Sequence, residues 1–326
     1  MYIHPGFLPD LEEAHKEKKD FQFLGGNLPK IVLNDFGNWR GYLPILEIQR
    51  NDYFDTYSCT NYSNNNATEM MHKLLYGEEK NDSDRFSAVV SGTIFQKGNS
   101  HKNVAEVRRN KGSVLEVDYP FTQDLKKEEY FVKTPPKDLL DKGLQWVADY
   151  EYGYETVGRD EFEEALRYSP IQIAVDSRTN KANQVSNYDH SIVLTCKDKL
   201  TKKNYTFDSY LNRFVEYDWD YPFSYGLRFN YKRLINIILN DMKMQLIRNK
   251  DTGKIYLVDS DSRKHHIEAP NDFFEFIGKT AWAKEDWINL EPVEVDKFEE
   301  GLNISAKKTT FAEALLNLFK IFGKKR

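Results

Sequence analysis

The sequence contains little cysteine: only Cys59 and Cys196 occur among its 326 residues. Small secreted proteins that depend on disulfides carry several cysteine pairs, so this class is excluded. Two thiols either pair with each other or serve separate roles. We expect that they do not pair, that Cys59 is reactive and that Cys196 is an inert core thiol.

Long apolar runs are also absent. No stretch approaches the roughly 18 apolar residues that cross a bilayer, and the first 20 residues lack the apolar core of a signal peptide. We therefore expect no transmembrane segment and a cytoplasmic protein, or a virion-associated one if a phage encodes it.

An excess of positive charge is absent too. The chain has 46 Lys and Arg against 51 Asp and Glu, a net charge of -5, so nucleic acid is not an expected partner. The sequence has no phosphate-binding glycine motif and no CxxC pair. His265 and His266 are adjacent, and adjacent residues of a strand point to opposite faces. We expect no cofactor and no metal.

What is present is the composition of a folded protein, 40% hydrophobic and 14% aromatic. Composition changes along the chain predict an N-terminal arm (1–35), a main domain (36–238), a small β-rich module (239–292), and a linker with an amphipathic C-terminal helix (293–326). Contact with a second copy or with a virion component is predicted through the C-terminal module and helix.

Hydrophobic spacing predicts an α+β fold. Apolar residues from Ala67 to Leu75 recur at helical spacing, and a second helix is predicted over 159–168, before Pro170. Strand-length apolar runs follow at 171–175, 191–194 and 205–207. Three short strands between 244 and 267 are expected to form an antiparallel meander, followed by a short helix over 272–277.

Three residues suit a thiol-based reaction. Cys59 lies just before the periodic helix, and a helix N-terminus favours the thiolate form of a cysteine. His190 begins an apolar strand that would hold its ring. Asp208 ends the next strand, so pairing of the two strands would bring its carboxylate to the ring.

The chain resembles the papain-like cysteine peptidases over roughly residues 28–231. Six of the family's motifs are matched in order, none of them specific alone. The matching segments are Asn38-Trp39-Arg40-Gly41-Tyr42-Leu43-Pro44 with Gln49; Cys59-Thr60-Asn61-Tyr62-Ser63 with Glu69; Asp82-Ser83-Asp84-Arg85-Phe86; Gly112 and Glu116 with Tyr119-Pro120-Phe121; Leu166 to Val175; and Asp189-His190-Ser191-Ile192 with Asp208-Ser209-Tyr210.

The resemblance implies a two-lobed fold with a helical lobe, an antiparallel β lobe, and a protein or peptide substrate extended in the cleft between them. It implies Cys59 as nucleophile, His190 as general base and acid, Asp208 in place of the usual orienting Asn, and Gln49 as side-chain donor to the oxyanion. Gln49 precedes Cys59 by ten residues where the family has six, so a longer loop must close. Asn64, Asn65 and Asn66 make the cysteine helix unusually polar.

The expected function is a thiol peptidase that cleaves peptide or isopeptide bonds through a thioester. The Asn- and Lys-rich composition suggests a bacterial or bacteriophage source, with virion, host or cell-wall peptides as substrates. The alternative is a catalytically impaired papain-like fold that serves as a structural or binding component of a virion.

Overall fold

The computed structural model describes residues 6–10, 23, 28–45, 48–210, 213–233, 245–258, 263–266, 288–290 and 299–300. The chain divides into two compact units, Met1–Lys232 and Arg233–Arg326. The four-part division made from the sequence stays a prediction. The helix predicted over 272–277 and the C-terminal helix lie outside the described residues.

The α-helices of the described part of the first unit lie between residues 59 and 165. They are α1 (Cys59–Tyr76), α2 (Asp84–Ser91), α3 (His101–Lys111), the short α4 (Lys127–Tyr130), α5 (Lys137–Asp149) and the short α6 (Phe162–Ala165). Helix α1 therefore begins eight residues before Ala67, where the apolar periodicity starts. The helix predicted over 159–168 is shorter than expected: a 3-10 turn at Arg159–Glu161 is followed by α6, and hydrogen-bonded turns replace the helix at 166–168.

A six-stranded sheet is built from strands between residues 150 and 233. Its strands are β1 (Tyr150–Val157), β2 (Ile171–Val175), β3 (His190–Asp198), β4 (Lys203–Asp208), β5 (Arg213–Asp218) and β6 (Gly226–Arg233), in the order β1-β6-β2-β3-β4-β5. The pairs β2–β3, β2–β6, β3–β4 and β4–β5 are antiparallel. Helices followed by an antiparallel sheet confirm the predicted α+β class.

Helix α1 packs against the sheet and against the other helices with polar side chains. Residues 59–72 of the helix are all buried. The Asn61 amide donates to the hydroxyls of Ser87 and Ser91 in α2, at 3.0 Å each. On the sheet side, Gln172 of β2 donates to the Thr60 carbonyl at 2.7 Å. Buried amides and hydroxyls are tolerated when they are hydrogen-bonded, which explains the polar composition of this helix.

The second unit contains a separate five-stranded sheet. Its strands are β7 (Gln245–Asn249), β8 (Ile255–Val258), β9 (Arg263–His266), β10 (Ile288–Leu290) and β11 (Glu299–Glu300), in the order β10-β7-β8-β9-β11. The pairs β7–β8 and β8–β9 are antiparallel, which confirms the predicted meander. The outer pairs β10–β7 and β11–β9 are parallel.

Within the described part of the chain, every helix is too short or too polar to cross a membrane.

Asn65 tests the dependence of the fold on buried polar bonds. Its amide donates to the Asp84 carboxylate at 2.8 Å and accepts from Arg108. Asn65→Leu is expected to lower the free energy of unfolding by about 3 kcal/mol, because two buried charged groups each lose a hydrogen bond. Urea denaturation measures the change. The control is Asn110→Leu on exposed helix surface, expected within about 0.5 kcal/mol of the parent; equal effects of the two would contradict the prediction.

Candidate active site

Cys59 is the first residue of helix α1. The Ser58 carbonyl accepts the backbone N–H groups of Asn61 at 2.8 Å and Tyr62 at 3.0 Å, which forms the first helical turn. Tyr57 has a positive φ of 54°, an uncommon conformation for a bulky residue, where the chain turns into the helix. The fold thus places the thiol where the helix dipole favours an anion, and the residue is 1% exposed.

The longer loop between Gln49 and Cys59 closes on itself. The Gln49 carbonyl accepts the Thr56 N–H at 3.0 Å and the Thr56 hydroxyl at 2.7 Å. Arg50 pairs with Asp55 in an antiparallel bridge. The extra residues therefore form a tight turn, and the Gln49 backbone is held beside Thr56, three residues before Cys59. Gln49 is 2% exposed, and no donor among the described residues reaches its side-chain oxygen.

His190 is held by the carboxylate that the strand pairing brings to it. It begins β3, Asp208 ends the neighbouring β4, and the His190 Nε2 lies 2.9 Å from the Asp208 Oδ1. The same oxygen accepts the Tyr210 N–H at 2.8 Å, which fixes the carboxylate. Because Nε2 is used by Asp208, Nδ1 is the ring nitrogen that can face Cys59.

The surroundings of His190 favour its charged form. Burial, the largest influence, lowers the pKa of His190, but the charge and hydrogen bond of Asp208 and the hydrogen bond and charge of Cys59 raise it. The net effect holds the pKa of His190 well above its usual value of 6.5. A histidine between a thiol and an orienting carboxylate is an arrangement that can activate a cysteine nucleophile.

A second buried histidine supports the sheet beside the site. The His101 Nε2 lies 2.7 Å from the Ser191 hydroxyl, and this hydroxyl lies 2.7 Å from that of Ser63. Burial lowers the pKa of His101 to about 4, against the opposing charge of Asp10, so His101 is neutral at pH 7. The network joins α1, α3 and β3 directly behind His190.

The structure brings three of the four predicted residues into one interacting group, and places Gln49 in the loop that leads to Cys59. Sequence reasoning missed His101 and Gly6, where an added β-carbon would lie 2.7 Å from the Cys59 sulfur. His101 follows Ser100, the N-cap of α3, whose hydroxyl accepts the Asn103 N–H; a Ser directly before a helix is the signal that would have placed it. Nothing local in the sequence marks Gly6.

Cys59 and Cys196 are both free and buried, so the two do not form a disulfide. Burial raises the pKa of the Cys196 thiol, which suits an inert core residue. Within the described residues, no three His, Cys, Asp or Glu side chains cluster as a metal site would require.

No protein-family model and no curated protein matches the chain. Solved structures that it resembles include xylellain, a cysteine protease from Xylella fastidiosa, at 14% identity over 68% of this chain and 94% of that one, with a TM-score of 0.46. Digestive procathepsin L 3 of Tenebrio molitor matches at 13% identity over 70% of this chain and 76% of that one, with a TM-score of 0.47.

The bromelain protease from Ananas comosus, solved with the E64 inhibitor, matches at 16% identity over 59% of this chain and 96% of that one, with a TM-score of 0.43. The three are papain-like cysteine proteases, the kind of protein that the sequence resembles.

Asp208→Asn tests the electrostatic role of the carboxylate. The substitution removes the charge that raises the pKa of His190 and leaves the burial that lowers it, so the pKa of His190 falls and the ring loses its proton at lower pH. NMR titration of the histidine ring protons measures the shift. The His101 signal is the control, since burial and the charge of Asp10 set the pKa of that ring. An unchanged His190 titration would contradict the assignment.

Proposed function

We propose that the chain is a papain-like cysteine peptidase that hydrolyses peptide or isopeptide bonds through a thioester on Cys59. The observation that carries the proposal is the position of His190, whose ring interacts with Asp208 at 2.9 Å on one side and with the thiol of Cys59 on the other. A thiolate beside an imidazolium is nucleophilic at neutral pH without any cofactor.

Acylation would begin with attack of the Cys59 sulfur on the substrate carbonyl carbon, which forms the C–S bond and places a negative charge on the carbonyl oxygen. The Cys59 N–H, at the start of a helix where such groups have no partner within the helix, and the Gln49 amide are the proposed donors to that oxygen. As the tetrahedral intermediate collapses, the C–N bond breaks and His190 gives its proton to the departing amine.

Deacylation would reverse the roles of the same groups. The neutral His190 takes a proton from water, and the resulting hydroxide attacks the thioester carbonyl. The C–S bond breaks, the carboxylic acid leaves, and His190 again holds a proton beside the thiolate of Cys59. Asp208 keeps its charge throughout and stabilises the imidazolium in each resting state.

The second candidate is a papain-like fold that binds peptide without cleaving it, as a structural component of a virion. The 1% exposure of Cys59 favours this candidate. Two observations support the enzyme instead. The longer loop before Cys59 closes at Gln49, and the polar side chains of helix α1 are hydrogen-bonded inside the protein, so neither difference from the papain-like pattern has to disable catalysis. A bacterial or phage source, a cytoplasmic or virion location, and virion, host or cell-wall substrates stay predictions.

Covalent labelling tests the nucleophile. An epoxide reagent directed at papain-like thiols is expected to modify Cys59 at pH 7, and His190→Ala to slow the reaction by about 100-fold or more, because the thiolate loses its partner. Peptide mass spectrometry locates the label. Cys196→Ser is the matched control and should label at the parent rate. Labelling of Cys59 at the same rate in His190→Ala as in the parent would favour the binding protein.

Gln49→Ala tests the oxyanion donor. Loss of one such donor lowers kcat by about 10²–10³-fold, while the labelling rate of Cys59 with a simple alkylating reagent should change little. A fluorogenic peptide assay gives kcat and KM separately. Gln145→Ala, on an exposed face of α5, is the control. A kcat equal to that of the control would remove Gln49 from the mechanism.

A further inference from the structure

Asp55 ends the tight turn before Cys59 and holds the backbone that leads to the thiol. Its carboxylate accepts the Tyr57 N–H at 2.8 Å, and Tyr57 has the positive φ with which the chain turns into helix α1. A carboxylate that accepts the N–H two residues further along stabilises a turn of this kind. Asp55 therefore fixes the chain just before the proposed nucleophile.

Tyr210 belongs to the part of the site that holds His190. Its N–H donates at 2.8 Å to the Asp208 Oδ1, the same oxygen that lies 2.9 Å from the His190 Nε2. The rings of Tyr210 and His190 meet edge to face, with their centroids 6.2 Å apart. The backbone and the ring of Tyr210 therefore both restrict where the His190–Asp208 pair can lie.

The Tyr210 side chain also contacts the turn before Cys59. The Arg50 guanidinium lies 5.2 Å from the centroid of the Tyr210 ring. Burial is the largest influence on the pKa of the Tyr210 hydroxyl and raises it; the charge and hydrogen bond of Asp55 also raise it, whereas those of Arg50 lower it. Arg50 and Asp55 pair with each other in an antiparallel bridge. The buried Tyr210 side chain thus interacts with both ends of the turn.

The tip of the same turn is held by the segment 121–131. The Asn51 amide donates to the carbonyls of Thr122 at 3.1 Å and Leu125 at 2.8 Å. The Phe54 ring packs against Tyr130, with the two centroids 5.6 Å apart. The turn is therefore fixed at its tip as well as at its base, and Tyr210 contacts a rigid partner.

We propose that Asp55 is a positioning residue that joins the turn before Cys59 to Tyr210 and thereby sets the distance between the thiol and His190. The carboxylate of Asp55 acts through Tyr210 and not on the reacting atoms. Asp55 belongs to the turn that makes this chain longer than the papain-like spacing, so the added residues have a role in the site. The inference rests on the proposed function for its catalytic meaning, but the state of His190 is measurable without catalysis.

NMR titration of the His190 ring tests the contact in the full chain. Tyr210→Phe removes the hydroxyl and keeps both the ring and the backbone N–H, whereas Asp55→Ala removes the carboxylate. We expect each substitution to lower the pKa of His190 by about half a unit or more, because the carboxylate of Asp208 is then held less firmly against the ring.

The same turn offers matched controls. Asp52 is an exposed carboxylate, and Tyr53 is a tyrosine with 58% of its surface exposed. Asp52→Ala and Tyr53→Phe should therefore leave the His190 titration at its position in the parent. Equal His190 titrations in Asp55→Ala and Asp52→Ala would overturn the proposal.

Steady-state kinetics separate positioning from substrate binding. With a fluorogenic peptide, we expect Asp55→Ala and Tyr210→Phe each to lower kcat about tenfold with KM within about twofold of the parent, because a small displacement of a catalytic group slows the chemical step. The double variant should lose about as much kcat as either single one, since both substitutions remove the same contact. Losses that multiply in the double variant would overturn the proposal.

A conservative variant distinguishes positioning from a general loss of stability. Asp55→Asn keeps an oxygen that can accept the Tyr57 N–H, so it should recover part of the His190 titration shift and part of the kcat lost in Asp55→Ala. Circular dichroism and urea denaturation establish that each variant is folded. A lower urea midpoint in Asp55→Ala with an unmoved His190 titration would show a merely structural role and overturn the proposal.

These measurements also separate the inference from the proposed function. If the parent hydrolyses a peptide and Asp55→Ala lowers both kcat and the pKa of His190, both proposals stand. A shifted His190 titration in a chain that hydrolyses no peptide would support the positioning of His190 and reject the peptidase. Hydrolysis by Asp55→Ala at the rate of Asp52→Ala would reject the positioning and leave the peptidase in place.

Discussion

The described part of the first unit depends on the hydrogen-bonding of one buried polar helix. Helix α1 carries amides and hydroxyls on the faces where core helices usually carry aliphatic side chains, and its neighbours supply matching donors and acceptors. Hydrogen bonds are directional, whereas apolar contacts are not. The helix is therefore fixed in rotation as well as position, and the sulfur of Cys59 is fixed with it.

The same network connects the thiol to the sheet. Ser63 of the helix and Ser191 of β3 are within hydrogen-bonding distance, and Ser191 directly follows His190. His101 completes the connection from α3 as a neutral ring. Groups that act on one reacting atom need positions defined to a fraction of an ångström, and these buried hydrogen bonds help to define them.

The sequence was sufficient where a residue's role follows from its own neighbours. Cys59 before an amphipathic run, His190 at the start of an apolar strand and Asp208 at the end of the next one are local signals, and strand pairing converts them into one group. The sequence was insufficient where a residue's role depends on residues far away along the chain. The partners of Asn61 and Asn65, and the position of Gly6 over Cys59, arise from contacts across many residues, for which no local period or cap exists.

The tight turn at residues 50–55 allows the number of residues between Gln49 and Cys59 to vary. Because Gln49 and Thr56 pair across the base of the turn, residues can be added or removed at its tip while its two ends stay together. The number of residues between Gln49 and Cys59 is then a poor measure of the distance between them in the folded protein. A search pattern that demands a fixed number of residues between the glutamine and the cysteine rejects chains of this kind, whereas one that allows a variable hairpin would retain them.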